Sequence, residues 1–135
     1  MSTISLGYTI FYVDDVAATV DFFTAAFDLP KRFVTPDNDY GEVDTGQTVL
    51  GFASTDLASS NLESAGGFAP IDPKRPAAMS ITLVTDDVGG VLHRAIEAGA
   101  QPYVDPIDKP WGQTVAYALG PSNILVEIAT PVSGS

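Results

Sequence analysis

The chain has 135 residues and a mass of 14.1 kDa, the size of one domain, and its 45% hydrophobic and 17% charged residues are typical of a folded chain. Seventeen acidic against six basic side chains give a net charge of −11, which argues against binding to nucleic acid or to anionic membrane surfaces and favours neutral or cationic small molecules. The absence of cysteine excludes disulfides, thiolate metal sites and a cysteine nucleophile. The first residues lack the basic side chains of a signal peptide, and no apolar run is long enough to span a bilayer. We therefore expect a cytoplasmic location.

The first predicted elements are a strand and a helix. The apolar run 8–13 has strand character, and an Asp14-Asp15 pair follows it. Aspartate is a good N-cap residue, because its carboxylate accepts the unpaired amide hydrogens of the first helical turn. Helical spacing then places four apolar residues on one stripe: Val16, Val20, Phe23 and Phe27. We expect this helix to end at Asp28-Leu29-Pro30.

The remaining elements repeat the first ones in order. Strands are predicted at 31–35, 40–44 and 48–54, and the apolar-Asp-Asp-Val pattern of 12–16 recurs at 84–88, an offset of 72 residues. A strand at 79–85, a helix carrying Val88, Leu92 and Ala95 and ending near Gly99, and strands at 101–104, 113–119 and 124–129 complete the second copy. Each half therefore has the order β-α-β-β-β.

The segment between the two copies, residues 56–77, is rich in Ser, Gly and Pro and shows no periodicity, so we interpret it as a connector. Neither half alone could bury both faces of its helix and sheet. We therefore predict one domain over 1–135, with a first module at about 4–55 and a second at about 78–131.

A duplicated unit of this kind resembles the vicinal oxygen chelate superfamily, which includes glyoxalase I, extradiol dioxygenases and the fosfomycin and bleomycin resistance proteins. The resemblance rests on the first strand with its Asp-Asp pair, on Phe22-Phe23 in the helix, on the stretch 109–113 around Trp111, and on the turn and strand 120–128 with Glu127. It implies an α+β fold in which two tandem βαβββ modules form a cup-shaped mixed sheet with the helices outside.

The resemblance also assigns four metal-ligand positions. Metalloenzymes of the family hold a divalent ion with side chains from the first and last strands of each module, usually His and Glu. Here those positions are occupied by Tyr8, Gly51, Ser80 and Glu127. One carboxylate, a phenol, a hydroxyl and a glycine do not form such a site, so we expect no metal and no other cofactor. The chain is thus closest to the metal-free, bleomycin-resistance-like members, and the pattern argues against enzymatic activity.

Other acidic or imidazole residues do not replace those ligands. His93, the only histidine, falls on a helix flank that should face away from the cup. The Asp14-Asp15 and Asp86-Asp87 pairs are better explained as helix caps than as catalytic acids. Asp105 and Asp108 are expected in a loop near Trp111, either solvated or at the rim of a pocket.

Aromatic and polar residues are the candidates for lining the cup. Trp111 lies in a Pro-Trp-Gly turn, where it either covers the end of the sheet or offers a flat wall to a planar ligand. Glu127 either is a relic of a metal site, with Tyr8 or Ser80 donating a hydrogen bond to it, or attracts a basic nitrogen of a ligand. The predicted ligand-binding residues are Tyr8, Tyr12, Phe33, Tyr40, Ser80, Tyr103, Trp111 and Glu127, with no catalytic residue among them.

Three functions remain open. The first is an acidic, cytoplasmic, metal-free protein that binds a planar or cationic small molecule and thereby sequesters a drug, as antibiotic resistance proteins do. The second is a glyoxalase-like or dioxygenase-like enzyme with an atypical or absent metal site, and the third is a structural member whose cup has closed. The resemblance and the general frequency of two-fold assemblies also predict a homodimer.

Overall fold

A computed structural model describes residues 2–132 and confirms the α+β class, with two four-stranded sheets and three helices. The first half contains β1 (Tyr8–Val13), α1 (Val16–Phe27), β2 (Lys31–Val34), β3 (Tyr40–Asp44), β4 (Val49–Ser54) and α2 (Thr55–Leu62), followed by a 3₁₀ turn (Glu63–Ala65). The second half contains β5 (Ile81–Val84), α3 (Val88–Glu97), β6 (Gln101–Asp108), β7 (Thr114–Leu119), a 3₁₀ turn (Pro121–Asn123) and β8 (Leu125–Ala129). Residues 1 and 133–135 of the predicted domain lie outside the described residues.

The two sheets have the same topology. Their strand orders are β1-β4-β3-β2 and β5-β8-β7-β6. In each sheet the first strand pairs in parallel with the last, and the other neighbours are antiparallel. Ile10 lies opposite Gly51 in the first sheet, and Thr82 lies opposite Glu127 in the second. The repeat found in the sequence is therefore a repeat of structure.

Contacts between residues divide the described chain into two compact units. One unit contains the residues up to Thr24 together with Asp28–Ala69, and the other contains Ala25–Phe27 together with the residues from Pro70 onward. We refer to the first sheet with its helices as the first module and to the second sheet with α3 as the second module.

Helix α1 packs on one face of the first sheet. Val16, Val20 and Phe23 are fully buried, as the apolar stripe predicted. Gly41 of β3 makes this close packing feasible, because a Cβ there would lie 3.0 Å from Cγ1 of Val16 and 3.1 Å from Cγ2 of Val20. Phe52 of β4 stacks on Phe23 with ring centroids 5.1 Å apart, so the centre of this module is an aromatic and branched apolar core.

Helix α3 packs on the second sheet in the same way, through the buried residues Val88, Leu92 and Ala95. Both predicted caps are confirmed. The Asp15 carboxylate accepts a hydrogen bond from the amide of Ala18 at 3.1 Å, and the Asp87 carboxylate accepts one from the amide of Gly90 at 3.0 Å.

The chain reversals after the two helices differ in backbone conformation. Asp28, in the left-handed region with a φ of 60°, is the C-cap of α1, and Gly99, with a φ of 114°, follows α3. Glycine adopts this conformation without steric cost, which explains its use after α3.

The segment predicted as a featureless connector contains a helix. Ser54 caps α2 by accepting a hydrogen bond from the amide of Leu57, and the segment up to Ala69 belongs to the first compact unit. Only Ala58 of α2 is buried, so the helix presents no apolar stripe that periodicity could detect.

Two strand boundaries also differ from the prediction. Strand β6 continues to Asp108, so Asp105 and Asp108 lie in a strand and not in a loop. Proline is tolerated there because β6 is an edge strand, where an amide hydrogen can be missing without loss of a ladder bond. Strand β5 begins at Ile81, so Ser80 precedes it.

No helix within residues 2–132 is long and apolar enough to cross a membrane.

The cap of α1 predicts a pH dependence. The amide of Ala18 and then the Asn38 side chain lower the pKa of Asp15 below its ordinary value, so the cap contributes stability that is present above about pH 4 and is lost as the pH falls further. Asn still caps a helix but does not titrate in this range. In thermal melts between pH 6 and pH 3, we expect Asp15→Asn to lose less stability than the wild type.

Asp21→Asn, an equal charge change in the middle of α1, serves as the control, because Asp21 is exposed and makes no cap. Parallel pH profiles of the wild type and Asp15→Asn would contradict the prediction.

Candidate functional site

The face of the first sheet opposite α1 is rich in exposed aromatic residues. Alternation along β1 leaves Tyr8, Ile10 and Tyr12 exposed on one face. Phe33 on β2 is exposed too, and its ring lies 6.0 Å from that of Tyr40 on β3. We call this side of the first sheet its open face.

A buried carboxylate lies at the centre of the open face. The Glu42 residue is only 6% exposed, and both of its oxygens are engaged. Nε of Arg32 lies 3.0 Å from Oε1, and the hydroxyl of Tyr40 donates to Oε2 at 2.7 Å. Because a buried carboxylate without partners would be strongly destabilising, these two donors are what allow Glu42 to occupy the middle of the sheet.

A β-bulge explains how Arg32 reaches Glu42. Lys31 lies opposite Val43 and Phe33 lies opposite Glu42, so β2 contains one residue more than β3 between these pairs. A bulge of this kind breaks the strict alternation of side chains. Arg32 is the extra residue, and its guanidinium contacts a carboxylate on the open face.

Gly51 of β4 lies between Glu42 on β3 and Ile10 on β1. A Cβ at this position would lie 2.6 Å from the hydroxyl oxygen of Tyr40. The space that a side chain of residue 51 would occupy is therefore filled by the hydroxyl that donates to Glu42.

The environment of Tyr40 keeps its hydroxyl protonated. Burial, then the hydrogen bond to Glu42 and the charge of that carboxylate, raise the pKa of Tyr40 well above its ordinary value. The phenol is therefore a hydrogen-bond donor at neutral pH and not a base.

The second sheet carries its carboxylate on the last strand. The hydroxyl of Thr82 donates to Oε1 of Glu127 at 2.6 Å, and the hydroxyl of Tyr117 donates to Oε2 at 2.5 Å. These two residues, and not Tyr8 or Ser80, are the donors that a half-buried Glu127 requires. The hydrogen bond to Glu127, followed by burial, raises the pKa of Tyr117, so it too remains a donor.

Trp111 lies in the turn between β6 and β7. The amide of Lys109 donates to the carbonyl of Gln113 at 2.7 Å, and Gly112 has the positive φ (95°) that the turn requires. The indole Nε1 donates to Oε1 of Gln113 at 2.7 Å, and Gln113 in turn donates to the carbonyl of Thr130. Trp111 is 57% exposed, which fits a ring held in a surface turn rather than a cover over the core.

The other predicted residues have these positions. Tyr103 is exposed at a β-bulge of β6, and Ser80 is exposed just before β5. His93 lies on the exposed side of α3 beside Glu97. Tyr8, Tyr12, Phe33 and Tyr40 belong to the first module, whereas Ser80, Tyr103, Trp111 and Glu127 belong to the second.

The residues at the four positions that the resemblance assigns to metal ligands do not fit a divalent ion. In the first module the place of a side chain at Gly51 is taken by the Tyr40 hydroxyl, which donates hydrogen bonds and stays protonated. In the second module Glu127 already accepts a hydrogen bond at each oxygen, and its neighbours are hydroxyls. Divalent catalytic metals prefer several imidazole and carboxylate ligands. Among residues 2–132, no group of three or more His, Cys, Asp or Glu side chains is placed to hold a metal.

Comparison with known proteins identifies the family. The profile of the Glyoxalase/Bleomycin resistance protein/Dioxygenase superfamily matches residues 5–128, and the chain belongs to this superfamily. A search of curated proteins finds no match.

Several solved structures share the fold. A glyoxalase-related enzyme from Fulvimarina pelagi is 18% identical with a TM-score of 0.77, covering 94% of this chain and 88% of that one. A glyoxalase/bleomycin resistance protein/dioxygenase family enzyme from Burkholderia phytofirmans PsJN is 20% identical with a TM-score of 0.75, covering 94% and 98%. Lactoylglutathione lyase from Agrobacterium tumefaciens is 16% identical with a TM-score of 0.68, covering 96% and 95%.

The sequence did not identify four residues of these two groups. One is the carboxylate Glu42 itself, and the others are the hydrogen-bond donors Arg32, Thr82 and Tyr117. The spacing of Tyr40 and Glu42, two residues apart on one strand, was the available signal, because such residues share a sheet face. The β-bulge that adds Arg32 leaves no comparable trace in the sequence.

The close approach at Gly51 predicts a coupled pair of substitutions. Gly51→Ala should destabilise the protein by about 1–3 kcal/mol, because the new Cβ would displace the Tyr40 hydroxyl from Glu42. In a Tyr40→Phe background the same change should cost less, since the oxygen it meets is gone. Urea denaturation measures both costs.

Gly7→Ala is the control, because no atom lies within 4 Å of a Cβ built there. An equal cost of Gly51→Ala in both backgrounds would contradict this description of the packing.

Proposed function

We propose that the protein binds a planar, cationic small molecule without a catalytic metal. The observation that carries the proposal is the difference between the two carboxylates. Glu42 is neutralised by Arg32, whereas both hydrogen-bond donors to Glu127 are uncharged hydroxyls. Within residues 2–132, Glu127 forms no ion pair, so the second module keeps a net negative charge on its sheet.

That negative charge supports a cationic ligand. Thr82 and Tyr117 satisfy the hydrogen-bonding requirement of Glu127 but not its charge. A basic nitrogen would supply the missing positive charge, and the net charge of −11 would favour its approach over long distances.

Trp111 supports a planar ligand. Its indole is exposed, Gln113 fixes its orientation, and Nζ of Lys109 lies over the ring 6.0 Å from its centroid, so a planar ligand would stack on it with little conformational freedom lost and a cationic group would take the place of the Lys109 ammonium. The exposed aromatic side chains of the open face offer apolar contact on the first module. The proposed ligand contacts are Tyr8, Tyr12, Phe33, Tyr40, Ser80, Tyr103, Trp111 and Glu127.

Related proposals follow from the family. Sequestration of a drug, and thereby antibiotic resistance, is the proposed role in a cytoplasmic protein, and a homodimer is the proposed assembly. The alternative is a glyoxalase-like or dioxygenase-like enzyme with an atypical or absent metal site, which the carboxylate of Glu127 favours. Metal analysis of protein purified without chelators, together with an assay on thiol-conjugated oxoaldehydes, distinguishes the two. Stoichiometric metal with activity would establish the enzyme and overturn the proposal.

The proposal predicts that Trp111→Ala and Glu127→Gln weaken binding without unfolding the protein. A thermal-shift screen of planar cations such as acridinium dyes should find compounds that raise the melting temperature. Trp111→Ala should then lower affinity several-fold, because stacking and cation–π attraction are worth about 0.5–2 kcal/mol, while the melting temperature of the free protein falls by only a few degrees.

Glu127→Gln should reduce the affinity for cationic probes and leave that for neutral analogues unchanged. Glu97→Gln, the same charge change at an exposed position of α3, is the control. A melting temperature lowered by more than about 10 °C in Trp111→Ala would instead identify the ring as a structural cover.

A further inference from the structure

Arg32 has binding capacity beyond its role as partner of Glu42. Its contact with the carboxylate is made through Nε, and within residues 2–132 its terminal amino groups make no hydrogen bond. The side chain is 47% exposed, whereas that of Glu42 is 7% exposed. The buried acid therefore anchors one edge of the guanidinium and leaves its other donors accessible.

The anchoring removes much of the conformational freedom of a long side chain. Glu42 is itself held by Tyr40, whose hydroxyl lies over Gly51. An arginine oriented by a buried, hydrogen-bonded carboxylate loses little entropy when it binds a ligand, and its planar fork matches a carboxylate.

The surroundings of Arg32 indicate what such a ligand would carry besides a charge. Phe33 follows Arg32 in the chain and its ring contacts that of Tyr40, while Tyr8 and Ile10 are exposed on the same open face. Phe33 and Tyr40 therefore offer an aromatic surface next to a single oriented cation, whereas Tyr8 and Ile10 lie farther away, on the strand at the opposite edge of the sheet.

We propose that Arg32 binds a carboxylate group of an aromatic small molecule, with Glu42 as the residue that positions it. The inference rests on the proposed function, which it deepens by adding an anionic group to the ligand. Because the net charge of −11 repels anions, one accessible arginine would determine which carboxylates bind and where.

Three naphthalenes that differ only in charge test the inference: 2-naphthoate, 2-naphthalenemethanol and 2-naphthylmethylammonium. Their dissociation constants are measured by NMR titration at about 150 mM salt, where the Debye length of roughly 8 Å limits the repulsion from distant acidic groups. We expect the wild type to bind the carboxylate at least about tenfold more tightly than the alcohol, since charge-assisted hydrogen bonds are about twice as strong as neutral ones.

Variants separate the recognition by Arg32 from its structural role. The double variant Arg32→Gln/Glu42→Gln removes both charges and leaves no unpaired buried acid, and it should lose the preference for the carboxylate over the alcohol. Arg32→Lys keeps the charge but not the fork and should retain only part of the preference. Lys31→Gln, which removes one positive charge from the neighbouring residue, opposite the core residue Val43, should bind like the wild type.

Equal affinities of the wild type for naphthoate and alcohol, or an unchanged preference in the folded double variant, would overturn the inference. Binding of the ammonium probe without the carboxylate probe would overturn it and leave the proposed function standing. Failure of all three probes at millimolar concentration would count against both.

Discussion

The cost of burying a carboxylate determines the chemistry of the first module. An ionised acid in the middle of an apolar sheet is tolerated only with an opposite charge and hydrogen-bond donors nearby. Arg32 supplies the charge and Tyr40 supplies a donor to Glu42. Gly51 follows from the same requirement, because any larger residue would compete with the Tyr40 hydroxyl for space. Gly51, a position that the family resemblance assigns to a metal ligand, is thus part of the compensation of a different acid.

The second module has the same strand topology, but the residue types at the corresponding positions differ. Counted along the chain, the third strand of the first sheet carries glutamate and the last strand carries glycine. In the second sheet the third strand carries tyrosine (Tyr117) and the last strand carries glutamate (Glu127). Strand β2 carries one β-bulge, whose extra residue is Arg32, and β6 carries two, the first of which has Tyr103 as its extra residue. Within residues 2–132, one duplicated scaffold therefore presents an acid with an ion-pair partner and an acid without one.

Local features of the fold could be predicted from the sequence, because capping and apolar periodicity depend on neighbouring residues. The Asp15 and Asp87 caps and the buried stripe of α1 are examples. Helix α2 was missed since it buries only Ala58. The contacts of Glu127 were missed because they depend on register: Thr82 lies opposite Glu127 only after parallel pairing of strands far apart in sequence. The exposed turn of Trp111 could be inferred from its flanking proline and glycine, but the hydrogen bond from the indole to Gln113 could not.

The parallel pairing of the first and last strands also implies an order of assembly. Contacts close in sequence form with less loss of chain entropy than distant ones. The donors to Glu42 lie 2 and 10 residues away from it, so we expect that group to form while β2 and β3 are still hydrated. Thr82 is 45 residues from Glu127, whereas Tyr117 is 10 residues away. The second module therefore completes the hydrogen bonding of its acid only when β5 docks, and that step brings a second uncharged hydroxyl to a negative charge.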